Sequence, residues 1–259
     1  MANPLYGQNK IDNKIDDLVT GKKQVYRFAT PPIVHDYEHA AHQLVDGTAA
    51  DTVLHTYADG LQITFAAVVA QAIDRPAPRS TCMNYAYDQT DDDGIQWINS
   101  CITTKGREGI DRFTVGLQAF SAELRFKLAD VSGTDDCAFG FRKVEALQAA
   151  IDNYDEMAAL NVISGDIKIE TILNAGATST TDTTDNWADG GTHSLKDSVS
   201  KAGAVTYQID GQAPTTTASF SFDAGEVVSP FFYLVHTSDL CETVELQQLI
   251  IESDKGSLE

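Results

Sequence analysis

Along residues 120 to 128 apolar Phe120, Ala122, Leu124, Phe126 and Leu128 alternate with polar Ser121, Glu123, Arg125 and Lys127. Side chains on a strand point to opposite faces in turn, so this stretch predicts a β-strand with one buried face. Further β-rich runs recur at 61–69, 95–102, 138–144, 162–173, 193–199, 204–209, 231–236 and 244–251. Turn signals separate them, among them Asp59-Gly60, Asp91-Asp92-Asp93-Gly94 and Asp210-Gly211. Many short strands between such turns predict a sandwich or barrel. Only 144–160 departs from this, with Val144, Leu147, Ile151, Met157 and Leu160 at loosely helical spacing, and it predicts one short helix. Residues 175–187, rich in Thr, Ser, Asp and Gly, read as a long polar loop closed by Asp189-Gly190-Gly191.

The first 30 residues follow a different pattern, with Leu5, Tyr6, Ile11, Ile15 and Leu18 isolated among Asn, Gln, Lys and Asp. Such sparse apolar groups build no core alone, but they can be buried against a neighbouring subunit. Thr30-Pro31-Pro32 then forces an extended segment. The expected organisation is an N-terminal arm and linker over 1–45 and one sandwich domain over 46–259, a length that all-β folds commonly accommodate as one unit.

Charge narrows the functions available. Against 18 Lys and Arg stand 38 Asp and Glu, a net charge of -20. That field repels a phosphate backbone, so nucleic acid is not an expected partner. No apolar run approaches the roughly 20 residues that a membrane helix needs, and no membrane is expected. Cys82, Cys101, Cys137 and Cys241 form no C-x-x-C pair. With a polar Met-Ala-Asn-Pro start and no signal peptide, they read as buried thiols of a protein made in a reducing cytoplasm.

The fold can be read more closely from residues 112–252. Thr192-His193-Ser194-Leu195-Lys196-Asp197-Ser198-Val199 followed by Ala204-Val205-Thr206-Tyr207-Gln208-Ile209-Asp210-Gly211 resembles the paired strands, ending in "iDG", of concanavalin-A-like and laminin-G-like jelly rolls. Val227-Val228-Ser229-Pro230-Phe231-Phe232-Tyr233-Leu234 is similar to their next inner strand. With Asp130 to Asp136, Gly140 to Lys143 and the opening Asn3-Pro4-Leu5-Tyr6-Gly7-Gln8-Asn9-Lys10, the assembly resembles virion structural proteins of marine tailed bacteriophages. The resemblance implies an all-β jelly-roll β-sandwich with an extended N-terminal arm and at most one short helix. It also implies a non-enzymatic role on the capsid surface, as a decoration or cement protein or a head fibre, made in the host bacterial cytoplasm. The partners implied are the major capsid protein, touched through Leu5, Tyr6, Ile11, Ile15 and Leu18, and further copies of the chain as a homotrimer. The alternative is a carbohydrate-binding module that attaches the virion to host glycan, with Trp187 in its polar loop as the contact.

Candidate catalytic groups are few. Asp166, Lys168 and Glu170 share one strand face, but the E-x-D-x-E pattern of jelly-roll glycosidases is absent. His35-Asp36-Tyr37-Glu38-His39 matches the inverted zinc-peptidase motif H-x-x-E-H, with Glu108 or Glu123 as a nominal third ligand. Its place beside Pro31-Pro32, with His42 nearby, reads more simply as a His-rich surface segment. The acidic turns Asp91-Asp92-Asp93 and Asp135-Asp136 offer oxygens to Ca²⁺ without a full EF-hand spacing. Trp97, Tyr85, Tyr87 and Tyr154 are expected to fill the core rather than stack on sugars. The expected inventory is thus no enzyme and no cofactor, Ca²⁺ excepted.

Overall fold

In the computed structural model the described residues are 22–27, 53–56, 62–68, 77–78, 83–86, 93–98, 112–132, 134–236 and 243–254. Their strands are β1 (Lys22–Arg27), β2 (Val53–Thr56), β3 (Gln62–Val68), β4 (Ala77–Pro78), β5 (Met83–Ala86), β6 (Asp93–Ile98), β7 (Phe113–Thr114) and β8 (Phe120–Leu128). After them come β9 (Thr134–Lys143), β10 (Met157–Ile163), β11 (Asp166–Ile172), β12 (Ser179–Asn186), β13 (Thr192–Val199), β14 (Val205–Ile209), β15 (Val227–His236) and β16 (Thr243–Ser253).

They form two sheets, antiparallel throughout. The seven-stranded sheet runs β14-β13-β8-β16-β5-β4, and β1 adds to β16 alongside 248–253, next to β5. The nine-stranded sheet runs β12-β11-β10-β9-β15-β6-β3-β2, with β7 added to β15. Chain neighbours are often not sheet neighbours. β8, for example, lies between β13 and β16, which bring residues from 192–199 and 244–253 beside it.

The alternation in β8 packs as its pattern dictates. Phe120, Ala122, Leu124, Phe126 and Leu128 are buried in the main core, while the polar residues between them face outward. From the other sheet, Trp97, Phe139, Phe141, Leu160, Ile167, Ile169, Phe232 and Leu234 meet them. Phe113 stacks on Phe120 at 4.5 Å between ring centres and Phe141 meets Phe120 edge-on at 5.0 Å, arrangements that add to simple area burial. The described residues form the all-β, two-sheet sandwich that the sequence pattern predicts.

A second, smaller core covers the outer face of the nine-stranded sheet. Ile98, Ala138, Met157, Ala159, Ile172, Phe231 and Tyr233 pack there beneath Ile151 and Tyr154, with Val144 and Leu147 against them. The segment 144–156 therefore lies across the sheet as a strap. The predicted helix over 144–160 is not formed: only Ile151–Asn153 makes a 3-10 turn, and from Met157 the chain is strand. Its apolar residues are explained by a strap facing one sheet, which needs no helical period.

Two other expectations are corrected. Residues 162–173 hold a turn at Ser164-Gly165 between β10 and β11 rather than one long strand. The predicted polar loop contains β12, whose sequence STTDTTDN suits an edge strand with one neighbour, where few apolar contacts are needed. Within the expected arm and linker, Lys22–Arg27 is a strand of the seven-stranded sheet. The turn at Asp210-Gly211 forms as its sequence predicts. Asp210 and Gly211 have φ of 51° and 78°, and Ile209 and Gln212 exchange backbone bonds of 2.8 and 3.0 Å across a primed turn.

Candidate functional site

Where β8 begins and β13, β16 and the sheet edge converge, the outer face of the seven-stranded sheet carries an open groove of about 510 Å³. Strand register builds its floor. Thr206 pairs with Ser198, Ser198 with Ser121, Ser121 with Glu252, and Glu252 with Lys23. Five strands thus place hydroxyl, hydroxyl, hydroxyl, carboxylate and ammonium in one row across the sheet. At about 4.8 Å per strand the row spans roughly 19 Å. Ser200 and Asp254 stand at its end, and Phe120 and Val199 lie beneath in the core.

Glu252 organises the charges in this groove. Its Oε1 lies 2.8 Å from Lys23 Nζ, its Oε2 lies 3.3 Å from Lys196 Nζ, and Ser121 Oγ donates to Oε2 at 3.5 Å. The bond from Lys23, helped by Lys196, holds the Glu252 carboxyl below the usual carboxylate range, so it is ionised at neutral pH.

A second polar constellation lies on the opposite outer face, beside the strap. Asn161 is fully buried on β10, and its Nδ2 donates to Asp136 Oδ1 at 2.7 Å and to Glu170 Oε2 at 2.8 Å. Its Oδ1 accepts from Cys137 N at 2.8 Å, and Thr180 Oγ1 donates to Glu170 Oε1 at 3.1 Å. Burial, opposed by the Asn161 bond and reinforced by Glu170, Asp135 and Asp152, pushes Asp136 up to about 7. The strap closes the neighbouring area. Gln96 Nε2 donates to Gln148 O at 2.7 Å, Tyr233 OH donates to Ala149 O at 3.1 Å, and the Arg142 guanidinium sits 4.2 Å above the Tyr154 ring. With both Glu170 oxygens and the Asn161 amide engaged, this constellation ties β9, β10, β11 and β12 together.

The residues singled out from sequence are scattered. Asp166, Lys168 and Glu170 share the outer face of β11, but only Glu170 joins the network. Asp135 and Asp136 sit where the pairing of β9 with β15 is irregular, and Asp136 is held by the Asn161 amide. Among the described residues no group of three His, Cys, Asp or Glu side chains is placed to hold a metal. Trp187 corrects the glycan-contact expectation: it is 2% exposed, packed on Phe126 at 4.7 Å and His193 at 4.6 Å, with Nε1 donating to Gly191 O. A ring covered in this way offers no face to a sugar. Trp97 and Tyr154 are buried as expected. Leu5, Tyr6, Ile11, Ile15, Leu18, the His35 to His39 motif, His42, Asp91, Asp92 and Glu108 lie outside the described residues, as do the side chains of Tyr85 and Tyr87.

No protein-family model matches the chain, and no curated protein matches it in sequence. Solved structures match its fold. A protein of unknown function from Shewanella oneidensis MR-1 is 11% identical, with the match covering 100% of this chain and 97% of that one at a TM-score of 0.51. Lectin II from Ulex europaeus is 12% identical over 91% of this chain and 99% of that one at 0.49. The carbohydrate recognition domain of Emp47p is 11% identical over 72% and 87% at 0.48. At these identities the likeness is one of fold.

Proposed function

We propose that this jelly roll is a non-enzymatic carbohydrate-binding module, and that the groove on the seven-stranded sheet is its site. The observation that carries the reading is the Thr206, Ser198, Ser121, Glu252, Lys23 row. A sugar chain presents hydroxyls at regular intervals, each both donor and acceptor. A row of hydrogen-bonding groups, three hydroxyls, a carboxylate and an ammonium, roughly 19 Å long on an open sheet face, complements such a ligand.

The test is a glycan array with and without Ca²⁺, followed by titration of any hit. The double variant Ser121→Ala and Ser198→Ala is expected to weaken binding about thirtyfold, since each lost hydrogen bond contributes around 1 kcal/mol, while the melting temperature stays put. An array on which the native protein binds nothing would sink the reading.

A role on a phage particle, which the sequence resemblance implies, is a second proposal. Strand β1 fixes the segment after residue 21 to the sheet edge, leaving residues 1–21 to reach a capsid neighbour through Leu5, Tyr6, Ile11, Ile15 and Leu18. Truncation of 1–21 is expected to abolish co-sedimentation with capsids and leave the melting curve unchanged. A cut at residue 30 removes β1 and Lys23 as well, and should lower stability. Full attachment of the shorter truncation would refute the arm's role.

A further inference from the structure

Resting on the carbohydrate reading of the groove, we infer that Glu252 fixes its ligand class: a neutral polysaccharide, with acidic ones excluded. To hold a uronate or sulfate a site needs an uncommitted cation, and here the two ammonium groups nearest the floor, Lys23 and Lys196, both sit on Glu252, at 2.8 and 3.3 Å. The other charged group lining the groove is Asp254, a second carboxylate. An acidic sugar therefore meets two carboxylates, Glu252 and Asp254, and two ammonium groups already paired with Glu252, in the field of a chain of net charge -20.

A neutral sugar meets a different surface. Each ammonium has three donors and uses one on Glu252. A carboxylate has about four acceptor positions, so Glu252 can still accept from sugar hydroxyls while holding both lysines. Ser121, Ser198 and Thr206 continue the row with groups that donate or accept as the ligand demands. Glu252 thus acts twice: it takes hydroxyl protons, and it masks the charges that would recruit an acidic chain. This second action is a form of selection against the wrong partner.

Glu252→Gln keeps the shape of the side chain and releases both ammonium groups. The experiment compares native protein and Glu252→Gln for binding to mannan and laminarin, which are neutral, and to alginate and dextran sulfate, at about 20 and 200 mM salt. The native protein is expected to bind a neutral polymer with little salt dependence and the acidic polymers at least about tenfold more weakly. Glu252→Gln should bind the neutral polymer more weakly and gain about tenfold toward the acidic ones at low salt, a gain that high salt removes. Lys196→Gln, which leaves Glu252 with Lys23 as its one cationic partner among the described residues, should move the ratio the other way. Its melting curve and that of Glu252→Gln identify any variant that fails to fold. Native binding to alginate or dextran sulfate as tight as to the neutral polymers overturns the inference and leaves carbohydrate binding standing. So does an unchanged ratio in both folded variants. Binding to none of the four overturns both.

Discussion

Gly140→Ala should destabilise the sandwich by about 3 kcal/mol or more. Gly140 lies in β9 between Ala159 of β10 and Phe231 of β15, at the centre of the nine-stranded sheet. A Cβ there would press on the Ala158 carbonyl oxygen and lie 2.6 Å from Ala159 Cα and 2.6 Å from Asp197 Oδ2. Two of those neighbours are backbone of a central strand, held by ladder bonds on both sides, and they cannot rotate away as a side chain end can. The sheets also approach closely at this point, since Asp197 belongs to β13 of the other sheet. Folded domains have about 5–15 kcal/mol of stability in all, so the change should lower the urea midpoint by a large fraction. Pairing it with Asp197→Ala separates the causes. If the backbone contacts dominate, the second change restores little. A Gly140→Ala protein within about 0.5 kcal/mol of the native one would show that the strands give way after all.

What the sequence reveals of this fold follows from where each signal arises. The strand at 120–128 is legible because its alternation is local and complete, and the Asp210-Gly211 turn because φ above zero at two successive positions favours a short list of residues. The strap at 144–156 misleads because a segment lying over one sheet face also buries residues three and four apart. β12 is hidden for the opposite reason: an edge strand with polar residues on both faces carries no alternation at all. Trp187 shows a related limit. Its neighbours in sequence are polar, but its neighbours in space are Phe126 and His193, and burial is decided by the latter.

The groove could not be found by motif. Its floor takes residues from 23, 121, 198, 206 and 252, and only strand register aligns them. Each is an ordinary outward-facing polar residue on its own strand, indistinguishable from the many that merely meet solvent. The Asp136, Asn161, Glu170 network is similar, with members on three strands of which sequence reasoning saw two carboxylates and missed the amide between them. Asn161 could have been noticed as an amide within an otherwise apolar strand, Met157–Ile163, where a buried polar side chain needs partners.

Asp197 is the other polar residue that an apolar strand face would not lead one to expect, and it yields the second large effect. It stands on the inner face of β13 between Leu195 and Val199, wholly buried, and neither carboxyl oxygen has a hydrogen-bond partner among the described residues. The hydroxyl of Tyr207, its register partner on β14, is likewise buried and unpartnered. Burial raises Asp197 well above the usual carboxylate range, so folding holds a proton on it that the unfolded chain releases near pH 3.9. Because the folded pKa lies above the unfolded one, stability is greatest below about pH 3.9, as far as this group is concerned, and falls as pH rises toward the folded value. Asp197→Asn has the same shape and never ionises, while its amide is as poorly partnered as the protonated acid. The two proteins should therefore have similar stability near pH 3. The variant should become the more stable as pH rises, by up to about 1.4 kcal/mol per pH unit for one proton. Tyr207→Phe, which removes an unpaired hydroxyl, should be neutral or add about 1 kcal/mol at every pH. Urea unfolding of the three proteins from pH 3 to 8 measures both effects. Parallel profiles for native protein and Asp197→Asn would mean that Asp197 is ionised in the folded state, and would require a cation or water beside it in the core.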